Sequence, residues 1–162
     1  KEQPKQDIHD WNVKNIYKNQ TTRDVAKQRV FAWLYNPKAK DNKLNAVYDR
    51  DLVLKKYYDG TRVRTFFDRT IPADDHHALN YIVQSTTSDL FLRRALKVDE
   101  YLKDKKSNVS FTIHDSLIID LIEEERYIIP EIKKIFADTE LGTFKVNISA
   151  GKDFGNMKEL RL

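Results

Sequence analysis

The sequence contains no cysteine and no apolar run long enough to cross a membrane. Without cysteine the chain forms no disulfide framework and offers no thiolate for catalysis. A membrane-spanning helix needs about 20 mostly apolar residues, and the N-terminus also lacks the pattern of a secretory signal. These absences predict a soluble protein in a reducing intracellular setting, without a membrane partner.

The chain also lacks internal repeats, a Walker phosphate-binding loop, a GxGxxG motif and zinc-ligand spacing. It does have 162 residues, of which 40% are hydrophobic, and this is enough to bury a core. Its cations are concentrated: residues 11–69 hold 14 Lys or Arg against 6 Asp or Glu, and the remainder holds 15 against 19. This asymmetry indicates a polyanion bound on one side, although a solvated basic face would give the same pattern.

Residues 109–121, V-S-F-T-I-H-D-S-L-I-I-D-L, have the pattern of a β-hairpin. Two runs of apolar and β-branched residues flank His114, Asp115 and Ser116, so that the Asp115 carboxylate is expected at a rigid tip. Mg²⁺ prefers one or two carboxylates together with waters and substrate phosphates, and Asp115 therefore supplies only part of a magnesium site. The alternative is a polar turn without a ligand.

A second pattern lies on a helix predicted from the Thr21–Asp24 capping box to about Asn36, since Pro37 disfavours helix at the residue before it. Four side chains spaced four residues apart form a stripe along it: Arg23, Lys27, Phe31 and Tyr35. At 1.5 Å per residue the stripe is about 18 Å long, close to the length of a nucleoside triphosphate. Cations near the positive end of the helix suit phosphates, and aromatic rings suit a base. Alternatively, this is a surface helix whose aromatic side chains pack inward.

The longest predicted helix covers about 74–102, and its middle is polar: Gln84-Ser85-Thr86-Thr87-Ser88-Asp89. Small polar residues are poor helix formers, and such a conflict often marks a functional segment. Asn80 and Gln84, one turn apart, can donate hydrogen bonds to the acceptors that every base pair presents in the minor groove. The segment therefore predicts duplex binding without regard to sequence, or else a solvated turn.

The remaining elements follow from caps and periodicity. We expect helix at 7–17 with Asp7 as cap, a short helix within 44–58 with Asp51 as a possible cap, extended structure at 62–71, helix at 123–137, a final strand containing Phe144, Val146 and Ile148, and a loop at 151–157.

Taken in order, these motifs resemble those of family A DNA polymerases, the relatives of bacterial DNA polymerase I. R-D-V-A-K-Q-R-V-F-A-W-L-Y-N resembles the fingers motif, L-N-Y-I-V-Q-S-T-T-S-D-L is similar to the primer-template segment, and T-I-H-D-S-L-I-I-D-L looks like the HDE hairpin of the palm. Asp7-Ile8-His9 and A-G-K-D-F-G-N-M also resemble family landmarks. The resemblance covers about residues 7–157.

The resemblance implies a role for each site residue. Arg23 and Lys27 would bind the incoming triphosphate, and Lys27 would also act catalytically on the leaving pyrophosphate. Phe31 and Tyr35 would line the pocket for base and sugar. Primer-template DNA would be held by Asn80, Gln84 and His114, while Asp115 would be the catalytic Mg²⁺ ligand. Two metal ions then stabilise the attacking 3′-hydroxyl oxygen and the leaving group of a deoxynucleoside triphosphate.

The sequence departs from the family at Asn36, where the family has Gly, at His76, where it has Arg, and at Ser116, where it has Glu. The stretch between the first two motifs is short, as in compact phage-like members. The family's first catalytic Asp lies upstream of the D-I-H segment, and this chain starts at Lys1. We therefore expect a fragment or a separately encoded part, which needs an upstream segment that carries the second carboxylate.

The resulting expectation is an α+β fold: an antiparallel palm sheet that contains the hairpin and the final strand, with packed helices. A connecting helix would occupy 1–20, a small helical fingers subdomain 21–70, and the C-terminal palm 71–162. The predicted function is DNA-templated nucleotidyl transfer in the cytoplasm, in a bacterial host if a phage encodes the chain. The alternatives are a non-catalytic nucleic-acid-binding remnant and a metal phosphoesterase that uses Asp74, Asp75, His76, His77, His114 and Asp115.

Overall fold

A computed structural model describes residues 7–160 of the chain. Residues 1–6 of the predicted connecting segment, and residues 161–162 of the predicted palm, lie outside the described residues. The chain divides after Asp89 into two compact units, called here the N-terminal and C-terminal units. Helices predominate and the strands form small antiparallel pairs, which confirms the α+β class. Within the described residues no helix is long and apolar enough to span a membrane.

Four helices begin the N-terminal unit: α1 (Ile8–Asn15), α2 (Arg23–Tyr35), α3 (Asn42–Tyr48) and α4 (Arg50–Tyr57). Side chains cap all four, because an oxygen on the preceding residue accepts a hydrogen bond from a first-turn amide. Asp7 caps α1 as predicted. Thr22 caps α2, one residue later than the predicted box, and α2 ends before Asn36 as predicted.

The prediction of one short helix with Asp51 as cap was wrong, since two helices occupy that stretch. Asp49 has a left-handed backbone, φ 46°, which ends α3. Its carboxylate then accepts a hydrogen bond from the Leu52 amide, 3.1 Å away, and so caps α4. One aspartate thereby ends one helix and begins the next, because Asp tolerates the left-handed region and is a good N-cap.

The core of these helices fixes which side of α2 faces outward. Its buried members are Ile16, Tyr17, Ala26, Trp33, Leu44 and Leu79. Of these, Ala26 and Trp33 belong to α2, whereas Phe31 and Tyr35 are each 41% exposed. The side of α2 that carries Phe31 and Tyr35 is therefore available to a ligand.

A hairpin of β1 (Arg62–Arg64) and β2 (Thr70–Pro72) follows, with Val63 opposite Ile71, as the extended stretch predicted. Helix α5 (Ala78–Leu102) comes next, preceded by a turn in which the Asp74 carboxylate accepts from the His77 amide. The polar middle of α5 stays helical, and Thr87 donates its hydroxyl to the Val83 carbonyl one turn back. α5 begins in the N-terminal unit and ends in the C-terminal unit.

In the C-terminal unit, β3 (Asn108–Ile113) and β4 (Ser116–Asp120) form the predicted hairpin. The predicted helix at 123–137 divides into a 3-10 helix, Glu123–Ile128, and α6 (Ile129–Ala137), which carries Pro130 in its first turn. Two further pairs complete the unit: β5 (Asp138–Thr139) with β6 (Gly142–Thr143), and β7 (Ser149–Ala150) with β8 (Lys158–Glu159). The segment between β7 and β8 is a loop with one 3-10 turn, as predicted.

The prediction of a final strand at Phe144, Val146 and Ile148 was wrong, because residues 144–148 belong to no strand. Partial burial still alternates along them, so the apolar pattern correctly identified the inward side chains. A strand also needs a neighbour for its backbone groups. The described strands form four separate two-stranded sheets, and the predicted single sheet containing both the hairpin and this segment was therefore wrong for residues 7–160.

One face of the β3–β4 hairpin packs into the core of the C-terminal unit. Val109, Leu117 and Ile119 lie against the buried residues Val98, Leu102, Ile128 and Ile132. On the other face Phe111 and Ile113 are 45% and 42% exposed. The base of the hairpin is fixed by the Glu125 carboxylate, which accepts from the Lys106 and Ser107 amides. The core contacts and the Glu125 hydrogen bonds therefore hold the two strands that carry the turn of the hairpin.

Candidate functional site

The structure brings Lys27, Phe31 and Tyr35 into one row along the exposed side of α2. Lys27 Nζ lies 5.8 Å from the centroid of the Phe31 ring. The Phe31 and Tyr35 rings are 5.9 Å apart and inclined by 32°. With Arg23 at the start of the helix, these side chains are called the α2 row. The row presents a cation beside two partly exposed aromatic faces, a combination that suits a phosphorylated aromatic ligand.

Arg23 is engaged by carboxylates in this conformation. Its Nη2 lies 2.9 Å from Asp7 Oδ2, and Asp10 and Asp24 lie 3.9 and 3.8 Å from other guanidinium nitrogens. The hydrogen bond from Arg23 lowers the pKa of Asp7 to about 2, so that Asp7 is charged at neutral pH. An incoming phosphate must therefore compete with Asp7 for the Arg23 guanidinium.

His9 is a neighbour of the row to which the sequence analysis assigned no role. Its ring meets the Phe31 ring edge-on, with the centroids 6.2 Å apart. His9 Nδ1 is buried and has no hydrogen-bond partner among residues 7–160. In the sequence, the D-I-H motif was the signal that could have identified His9. The structure shows that His9 provides a hydrogen-bonding group beside Phe31.

Two residues predicted to bind primer-template DNA lie in the same unit as the row, on α5. Gln84 Nε2 donates to Tyr35 Oη over 3.2 Å, which joins the aromatic end of the row to the predicted DNA-binding segment. One turn earlier, Asn80 Oδ1 is buried without a partner in the described part of the chain. A buried amide oxygen without a partner is costly, and a ligand that donates to it would be stabilised.

The polar middle of α5 is in part explained by contacts within the N-terminal unit. The turn between β1 and β2 lies against it: the Phe66 amide donates to Thr86 Oγ1, and Arg69 Nε donates to Asp89 Oδ1 over 2.8 Å. Small side chains here leave room for that turn. Thr86 and Asp89 therefore have structural partners, whereas Gln84 is bonded to the row.

The hairpin tip carries His114 and Asp115, both exposed. Ile113 pairs with Ser116, so these two residues form the turn, and His114 has a positive φ of 52°. Holding a residue with a β-carbon in this left-handed backbone conformation costs of order 1 kcal/mol or more. Such strain is common at functional sites. The Asp115 carboxylate makes no hydrogen bond or ion pair with any described residue.

Asp115 has the properties expected of a single protein ligand in a magnesium site. An exposed carboxylate on a rigid turn suits Mg²⁺, which retains several waters and takes few protein ligands. Within residues 7–160 no group of three or more His, Asp or Glu side chains is placed to hold a metal ion. The second carboxylate of a two-metal site stays what the family resemblance implies.

The residues of the phosphoesterase alternative are only partly brought together. His77 Nδ1 lies 2.7 Å from Asp74 Oδ1, and hydrogen bonds from His77 lower the pKa of Asp74. Asp75 instead accepts a hydrogen bond from Tyr58 Oη over 3.0 Å. In the described N-terminal unit the two carboxylates thus have different partners and no third ligand completes a metal site. This alternative gains no support.

Comparison of the chain with models of protein families and with curated proteins found no match. The roles of these residues therefore rest on their chemistry and on their arrangement within each unit. The α2 row, with His9 and Gln84, is the candidate nucleotide site in the N-terminal unit. The tip of the hairpin is the candidate metal ligand in the C-terminal unit.

Proposed function

We propose that this chain performs DNA-templated nucleotidyl transfer as part of a DNA polymerase of the family A type. The observation that carries the proposal is the α2 row, joined by the Gln84–Tyr35 hydrogen bond to the segment predicted to bind primer-template DNA. A templating enzyme needs its nucleotide site next to its duplex site. This contact puts the two sets of residues side by side within one unit.

In this proposal Arg23 and Lys27 bind the triphosphate, and the aromatic end of the row contacts the base and sugar. Arg23 exchanges the Asp7 carboxylate for a phosphate, and Lys27 supplies charge to the leaving pyrophosphate. His9 stands beside Phe31, where its ring can donate to a phosphate or sugar oxygen. Holding the nucleotide against the duplex supplies the orientation that a bimolecular reaction lacks.

Asp115 is the residue that would hold Mg²⁺, and His114 would lie against the primer terminus. Bound magnesium supplies charge that stabilises the attacking and leaving oxygens. A partner segment provides the second carboxylate, as the family resemblance implies. The outer edges of β3 and β4 pair with no other described strand, and an unpaired edge favours the addition of a strand from such a partner.

The test is Mg²⁺-dependent extension of a primed template by the purified chain, alone and with an added polymerase segment that carries the first palm carboxylate. We expect no extension by the chain alone and templated extension by the mixture. Efficient extension by the chain alone would show that the metal site is misplaced. A mixture with Asp115→Asn controls for activity contributed by the added segment.

A non-catalytic role in nucleic-acid binding is the second candidate. It is favoured by the engagement of Arg23 with three nearby carboxylates, an arrangement that needs no nucleotide. In that case the chain would bind primed DNA with strong salt dependence. Added polymerase segment would then produce no Mg²⁺-dependent extension above its own background.

A further inference from the structure

A cavity of about 400 Å³ in the N-terminal unit lies beside α2 and the start of α3. Three cations line it: Arg29 from α2, Lys40 from the connecting loop and Lys43 from α3. Arg29 is two positions from both Lys27 and Phe31. At 3.6 residues per turn, it therefore lies on the opposite side of α2 from the row. The cavity is thus separate from the candidate nucleotide site.

The cations of this cavity lack the ion pairs that several other arginines of the described residues make. Arg69 in the same unit pairs with Asp89, for example, at 2.7 Å. Among residues 7–160, Arg29, Lys40 and Lys43 form no ion pair with a carboxylate. Arg29 and Lys43 instead lie over the Tyr17 ring, at 5.0 and 6.0 Å from its centroid. Three cations therefore share the cavity with a single carboxylate.

One carboxylate, Asp41, also lines the cavity, and its oxygens are already occupied. Its Oδ1 accepts from the Lys43 and Leu44 amides at 3.0 Å each, and its Oδ2 accepts from Tyr17 Oη at 2.8 Å. Burial and this hydrogen bond raise the pKa of Tyr17 to about 12, so the phenol remains a neutral donor. The cavity therefore keeps a net positive charge.

The wall of the cavity also contains a tryptophan, Trp33. Trp33 lines the cavity and is 7% exposed. Its indole Nε1 is buried and has no partner in the part of the chain described. Because Nε1 is closed to solvent, Trp33 serves here as a fluorescent reporter at the wall of the cavity and not as a ligand-binding donor.

We infer that this cavity is a binding site for a phosphate group, held by the three cations Arg29, Lys40 and Lys43. Because Tyr17 and Trp33 are 1% and 7% exposed, no aromatic face is open for base stacking. The site therefore recognises a phosphate without regard to sequence. Its ligand is the backbone of a single strand or a free phosphate, and the site does not depend on the proposed function.

The experiment uses the full chain with Trp11→Phe, which leaves Trp33 as the only fluorescent tryptophan of the two in the sequence. Inorganic phosphate and a dT oligonucleotide are titrated separately, without nucleoside triphosphate or metal. We expect the Trp33 emission to change on binding. A response to the oligonucleotide alone assigns the ligand as a strand, whereas competition by millimolar phosphate assigns it as phosphate itself.

The cavity variant is Lys40→Gln with Lys43→Gln, and the matched control is Lys55→Gln with Lys56→Gln, which removes the same charge from α4 of the same unit. Loss of two phosphate contacts to a single strand weakens binding about 25-fold in 0.1 M salt, and it reduces the slope of log affinity against log salt by about 1.4. The control lysines do not line the cavity, and we expect them to change the affinity little.

Circular dichroism establishes that each variant is folded, and Arg29→Gln repeats the test if the lysine pair is not. Equal losses in the cavity and control variants would overturn the inference, because binding would then follow net charge alone. Unchanged Trp33 emission with both ligands would also overturn it.

Discussion

Replacing Asp7 by Asn tests whether the α2 row binds a triphosphate. Asp7 Oδ2 accepts from Arg23 Nη2 at 2.9 Å, and Asp7 Oδ1 caps α1 by accepting from the His9 and Asp10 amides. Asn is as good an N-cap as Asp. The substitution therefore removes the charge that competes for Arg23 and leaves the start of α1 intact.

The expected gain in affinity is modest because both side chains are partly exposed. Exposed ion pairs between a cation and a carboxylate are weak, and releasing Arg23 from one should raise the affinity for a deoxynucleoside triphosphate about two- to fivefold at low salt. Salt screens the competing charge, so the gain should shrink between 20 and 200 mM NaCl, where the screening length falls to below about 10 Å. The control Asp24→Asn, whose carboxylate lies 3.8 Å from Arg23, should give less.

The assay is fluorescence anisotropy of a labelled dATP, repeated in an Arg23→Gln background. Asp7→Asn should have no effect there, since Arg23 carries the competition. The pKa of Asp7 is about 2, well below its usual value, so Asp7 remains charged and the ratio of the two affinities should be constant from pH 5 to 8. A gain that persists without Arg23, or no gain with it, would refute the reasoning.

Three further outcomes follow from the site and its supports. Asp115→Asn in the assembly with the partner segment should abolish primer extension and leave DNA affinity unchanged, because only the metal ligand is altered; extension at the wild-type rate contradicts this. Phe31→Tyr should increase incorporation of dideoxynucleotides in the same assembly, because a phenol can replace the hydrogen bond of the missing 3′-hydroxyl; unchanged discrimination would remove Phe31 from the sugar pocket. Asp49→Ala should lower the free energy of urea unfolding by roughly 2 kcal/mol, about half from the lost cap of α4 and half from the left-handed backbone. Asp49→Asn keeps the cap of α4 and tolerates the left-handed backbone, so it should change the free energy of unfolding little. Equal losses for Asp49→Ala and Asp49→Asn would contradict this explanation.

Local chemistry made much of the fold predictable. Thr22 caps α2 and Pro37 limits its end, because both effects act within a few residues of the chain. The hairpin around His114 and Asp115 was predicted on the same basis, from two apolar runs that flank a short polar turn. The side chains of the α2 row were likewise readable from their spacing, since helical geometry alone puts them on one side.

Other features were predicted wrongly because the same local sequence pattern is compatible with two different structures. The alternation at 144–148 identified the inward side chains but not whether a neighbouring strand exists. At Asp49, periodicity alone gave one helix, because the left-handed turn that separates α3 from α4 leaves the apolar pattern unbroken. The left-handed backbone of His114 was not predicted either, because two apolar runs around a polar turn do not specify the type of turn.

The sequence by itself determined which side chains share one side of α2 and the approximate bounds of α1 and α2, because helical spacing and caps act within a few residues. The tertiary structure alone decided which of those side chains meet. Arg23 is held by Asp7, 16 residues away, and Tyr35 receives a hydrogen bond from Gln84, 49 residues away. The cavity lined by Arg29, Lys40 and Lys43 draws these cations from two helices and the loop between them. These contacts depend on how separate helices pack, and no spacing along a single segment encodes that packing.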